Sequence, residues 1–139
     1  MTYEDKVRWL RRYQDSLRRE RELSEELDQL TSRACKVTPA LTGMPGGGGD
    51  GQSLPRAVES IVQAQQELQA QINACGAIRR EVVAALNQVT NPRDHEILRR
   101  RYILGQRWEE IAVDMHYKYQ HVCRCHKDAV AKLVIECDT

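Results

Sequence analysis

His121, Cys123, Cys125 and His126 fall within six consecutive residues, and all four are side chains that bind zinc. His116 and Cys137 lie close by. A zinc site needs ligands that converge. On a helix, Cys123 and Cys125 would face directions about 200° apart, so no metal is expected. Cys125 instead falls on an apolar stripe and reads as a small buried hydrophobe. The chain also lacks paired carboxylates and a nucleophile elbow, and Asp94 and His95 are adjacent and point apart on a helix. Neither catalysis nor a cofactor is expected.

The element around this cluster runs from Arg107 to Leu133. Trp108, Ile111, Ala112 and Met115 are spaced i, i+3, i+4 and i+7, one face of a short helix. Glu109 and Glu110 suit the positive end of its dipole. After a turn at His116, Tyr117 and Lys118, a second helix begins near Tyr119. Its single apolar face comprises Val122, Cys125, Ala129, Val130 and Leu133. Two short helices bury little alone. A supporting helix is predicted from Pro92, with Asn91 as its cap, through Ile97, Leu98, Arg101, Tyr102 and Leu104 to a stop at Gly105. Three helices, the last amphipathic and partly basic, make a minimal DNA-reading unit.

The Trp108–Ala112 opening (aromatic-Glu-Glu-Ile-Ala), Met115, Val122 and the Lys127–Leu133 tract resemble region 4 of the primary sigma factors. They are more similar still to the small sigma-like late-transcription regulators of phages and prophages, the ArpU and RinA type. The likeness covers 27 residues without a gap, and Leu98–Gly105 extends it upstream. The string TPALTGMPGGGG resembles a Pro/Gly element of the same group. Two positions depart from the pattern. The turn glycine is His116 and the Ser/Thr helix cap is Lys118, a poorer cap by about 1 kcal/mol.

The resemblance implies a DNA-binding regulator of late genes, contacting host RNA polymerase and lying in the bacterial cytoplasm. It places Tyr119, Gln120, Cys123 and Arg124 toward the major groove, with His121 nearby. Arg can fork onto guanine and Gln onto adenine. Tyr119 and Cys123 replace polar or basic residues of the sigma pattern, so a different sequence would be read. Lys118, His126, Lys127 and Lys132 are candidates for phosphate, which positions without specifying. Arg99, Arg100 and Arg101 point three ways, and one or two could reach phosphate. A small terminase subunit and a helical adaptor that touches no DNA are the alternatives.

Upstream, residues 2 to about 34 read as one helix. Leu10, Tyr13 and Leu17 are out of phase with Leu23, Leu27, Leu30 and Ala34, which a stutter or a local shift of the packed face would explain. Its first half carries Arg8, Arg11, Arg12, Arg18, Arg19 and Arg21 and its second half is acidic. The arginines either form i, i+4 pairs or touch DNA or polymerase. Residues 36–55 contain Pro39, Pro45, Pro55 and four consecutive glycines, and are predicted to be a linker. Without a Gly-Lys-Ser/Thr ending they do not make a phosphate loop. From Val58 to Val89 a heptad seam passes through Ile61, Gln65, Leu68, Ile72, Cys75, Arg79, Val82 and Leu86. Gln65 and Arg79 either set its register or are solvated where the seam rotates.

The expected fold is therefore all-α: a long helical hairpin or coiled coil over 1–90, which would make homo-oligomers, then a three-helix helix-turn-helix domain over 91–139. The net charge of +1 gives no global pull toward nucleic acid, so DNA binding would rest on local patches. Five scattered cysteines fit a reduced compartment better than a disulfide framework. No stretch is apolar enough for a membrane span, and MTYEDKVRWLRRY lacks the apolar core of a secretion signal.

Overall fold

Asn91 and Pro92 start the C-terminal helices as their chemistry dictates. In a computed structural model, which describes residues 1–42 and 53–136 (side chains for 1–36 and 54–136), Asn91 Oδ1 accepts from the N–H groups of Arg93 and Asp94 at 2.9 and 3.3 Å. Those donors would otherwise be orphans. The described residues form five helices and no strand: α1 (Tyr3–Thr42), α2 (Ser53–Leu86), α3 (Pro92–Tyr102), α4 (Trp108–Met115) and α5 (Tyr119–Lys132). The fold is all-α, with a long N-terminal helix pair.

The chain divides into two compact units, Met1–Leu17 with Cys75–Thr139, and Arg18–Ala74. The expected division near residue 90 thus falls elsewhere. In the first unit Leu10, Val82 and Leu86 share one buried cluster with Leu98, Tyr102, Ala129, Val130 and Leu133. The start of α1 and the end of α2 therefore supply core to α3 and α5. Full burial of each such side chain contributes about 1.5–3 kcal/mol. A second cluster, Ile97, Ile111, Ala112, Val122 and Cys125, joins α3, α4 and α5, with Trp108 and Met115 against it. Both predicted stripes of the helix pair face inward. Leu104 does not; it is 51% exposed, because α3 has ended before it.

Polar contacts fix the same unit. Gln14 Nε2 donates to the carbonyls of Tyr102 and Ile103, both at 3.0 Å, and so satisfies the end of α3. Gly105, at φ 72°, sits against that side chain, and an added Cβ would lie 2.6 Å from Gln14 Oε1. Gln88 pairs with the backbone of Val134, donating at 2.8 Å and accepting at 3.0 Å. Arg12 meets Glu81 at 2.6 Å, and Lys6 donates to the Ala131 carbonyl at 2.9 Å.

The second unit holds the later part of α1 and the earlier part of α2. No stutter is needed in α1. Its covered face runs Tyr13, Ser16, Glu20, Leu23, Leu27, Leu30, Ala34, in unbroken steps of three and four. Polar Ser16 and Glu20 bridge the gap that had separated the two leucine sets. In α2 the seam rotates. Ile61, Leu68, Cys75 and Val82 are covered as expected, but Ala64 and Ile78 take the places of Gln65 and Arg79, which are exposed. A buried Gln or Arg would carry a desolvation penalty that an alanine neighbour avoids. The expected linker is shorter than 36–55. α1 continues past Pro39 to Thr42, and α2 begins at Ser53 with Pro55 in its first turn, where a missing N–H costs no hydrogen bond. The glycine run lies outside the described residues.

Candidate nucleic-acid interface

Eight residues of α4, a turn and fourteen residues of α5 form the helix-turn-helix. His116 closes α4 in the left-handed conformation, φ 59° and ψ 39°. The Tyr117 N–H donates to the Ala112 carbonyl at 2.9 Å and the His116 N–H to Val113 at 3.2 Å. This is the position where glycine avoids a Cβ clash. His116→Gly is accordingly expected to raise stability by about 1 kcal/mol, read as a higher urea midpoint with an unchanged slope. Lys118 stands at the N-cap of α5 and makes no side-chain cap bond.

Six of the candidate contact residues, Lys118, Tyr119, Gln120, Arg124, Lys127 and Lys132, are exposed. Gln120, Arg124 and Lys127 are spaced i, i+4 and i+7, and so share one side of α5. The opposite side carries Val122, Cys125, Ala129 and Val130 into the core. His121 and Cys123 are half-buried. The His121 ring packs on Tyr117 at 5.2 Å, and its Nε2 lies 3.7 Å from Cys125 Sγ. Tyr119 interacts with the Cys123 thiol, and that hydrogen bond raises its phenol pKa. Cys123 and Cys125 face different surroundings, and the described residues hold no group of three side chains able to bind a metal.

His126 is 5% exposed, so it cannot serve as the phosphate contact expected of it. The Tyr102 hydroxyl lies 2.6 Å from its Nε2 and the Tyr3 hydroxyl 3.3 Å from its Nδ1. The Trp108 ring meets it edge-on at 4.4 Å. These contacts join α1, α3 and α4 to α5 and hold its rotation. Burial, reinforced by Arg101 and Arg11, pulls the imidazole down to about 4 from its usual 6.5. Between those values the unfolded chain holds the proton and the folded chain does not, so stability rises with pH across that window. The chain is expected to lose about 3 kcal/mol between pH 7 and pH 4 through this one residue. Urea titrations at stepped pH check this, and His126→Gln should flatten the slope.

The arginine run is tied down. Arg99 and Arg100 both bind Glu96, at 3.0 and 2.9 Å, and Arg100 also reaches Asp114 at 3.3 Å. Arg101 lies over the Trp108 ring at 4.5 Å and donates to the Gln106 carbonyl. No family model, no curated protein and no solved structure matches this chain. The sequence offers Arg8 and Arg11 only as part of an arginine-rich helix that pairs internally or touches DNA or polymerase; the fold sets them at a cavity with Lys127. More than a hundred residues separate them from Lys127, so no local pattern could have joined them.

Proposed function

We propose that the chain is a sequence-specific DNA-binding regulator of transcription that offers the Gln120, Arg124 and Lys127 side of α5 to the major groove. One observation carries this reading. The second helix of a helix-turn-helix keeps hydrogen-bonding and cationic side chains on its outer face, while its inner face is locked into the core. The resemblance to phage late-transcription regulators supplies the biological setting, with host RNA polymerase as a further partner.

The regulator acts as a homo-oligomer. Leu54, Val58, Val62 and Ile72 are 39–50% exposed along one side of α2, which suits pairing with a second copy. Two modules joined this way gain affinity without new contacts, and two α5 helices would read half-sites about one helical turn apart. The test is retention of duplex fragments from the encoding genome on the immobilised full chain at about 150 mM salt. Enrichment of sites upstream of an operon is expected. Enrichment at a packaging start would point to a terminase subunit, and retention of nothing would remove the reading.

A further inference from the structure

A cavity of about 590 Å³ opens between the start of α1, α3, α4 and α5, inside the unit of Met1–Leu17 and Cys75–Thr139. Arg8, Arg11, Arg101 and Lys127 line it, with Glu4 as the one carboxylate. Arg8 approaches Asp5 at 3.6 Å. Among the described residues Arg11, Arg101 and Lys127 have no carboxylate within ion-pair distance. Tyr3, Tyr102, Trp108 and His126 supply the aromatic wall. Tyr3 and Trp108 remain half-exposed within it.

We propose that this cavity binds a small anion carrying a planar ring, of the size and charge of a nucleoside monophosphate. The volume lies within the roughly 300–1,000 Å³ of small-molecule pockets. Guanidinium groups bind phosphate oxygens in pairs, and aromatic side chains stack on a base whatever its identity. The uncompensated positive charge favours an anion, and the aromatic wall favours a ring over inorganic phosphate. Arg8, Arg11 and Lys127 stand exposed at the cavity's rim and Arg101 is half-buried; a DNA backbone would meet the rim cations but make no use of the aromatic-walled hollow. The buried His126 is held neutral beside Arg101 and Arg11, so it adds no charge but leaves the positive field of the arginines standing. This inference stands whether or not α5 binds DNA.

The test is calorimetric titration of the full chain with adenosine, guanosine, cytidine and uridine 5′-monophosphates. Adenosine and inorganic phosphate serve as the half-ligands. At least one nucleotide is expected to bind with Kd near or below about 100 µM, at least roughly tenfold tighter than either half-ligand. Arg11→Ala should weaken it about fivefold or more, whereas Lys36→Ala, which removes the same charge from an exposed site on α1 outside the cavity lining, should not. Cys123 also lines the cavity, so the bound nucleotide should slow its alkylation, read by peptide mass. Four results would overturn the proposal: no binding up to about 5 mM, equal binding of nucleotide and phosphate, equal effects of the two variants, or protection of Cys123 by duplex DNA alone.

Discussion

Replacing Gln120 and Arg124 together by alanine is expected to cost the chain its sequence discrimination while leaving its fold untouched. Each side chain that forks onto a base contributes about 1–3 kcal/mol of discrimination. The double variant should therefore lose roughly 30-fold to 10⁴-fold in affinity for its own site. Both residues are exposed on α5, so the urea midpoint should not move. Fluorescence anisotropy against the cognate and a scrambled duplex separates two effects. Loss of base contacts brings the cognate down toward the scrambled value. Lys127→Ala should instead weaken both duplexes alike and reduce the salt slope by about one, since a phosphate contact carries no sequence. A double variant that binds both duplexes as the parent does would mean that α5 does not read DNA.

The second large effect concerns what the module needs in order to fold. A fragment of residues 91–139 holds α3, α4 and α5 entire, yet it is expected to be unfolded. It lacks Leu10, Val82 and Leu86, which complete the cluster around Leu98, Tyr102 and Val130. At about 1.5–3 kcal/mol each, these three side chains account for roughly 5–9 kcal/mol, comparable with the whole stability of a small domain. The fragment also loses the Gln14 and Gln88 hydrogen bonds to α3 and to Val134. In the full chain, Leu10→Ala alone should cost about 2–5 kcal/mol. Circular dichroism and chemical-shift dispersion of the fragment, beside urea titration of the Leu10 variant, check both. A fragment that folds cooperatively would show that α1 and α2 are dispensable to the module.

That second expectation also marks where the sequence was legible. Local signals worked. Asn91 and Pro92 fixed the start of α3, and the stripes of α4 and α5 named Ile111, Ala112, Val122, Cys125, Ala129 and Val130 as core. They worked because capping and helical periodicity depend on neighbours within two turns. The seams failed where small or polar residues took covered positions. Ala64 in α2 and Ser16 and Glu20 in α1 carry little hydrophobic signal, so the place of Gln65 stayed open and the two leucine sets of α1 looked out of phase. The joining of residues 1–17 to the C-terminal helices was invisible, since packing across the length of the chain leaves no periodic mark. His126 read as a surface cation for the same reason, since its partner Tyr3 lies near the other end of the chain. Glu96 stands three and four residues before Arg99 and Arg100, a spacing visible in the sequence, whereas the Arg100 contact with Asp114 is assigned only by the fold.

The most direct test of α5 as the reading element is guanine-N7 methylation interference on a duplex retained from the encoding genome, comparing the parent chain with Arg124→Ala. N7 lies in the major groove. Interference is expected at guanines in two half-sites about one helical turn apart, with at least one position relieved in the Arg124 variant. Binding that is indifferent to N7 methylation, or an interference pattern the same for both chains, would contradict it.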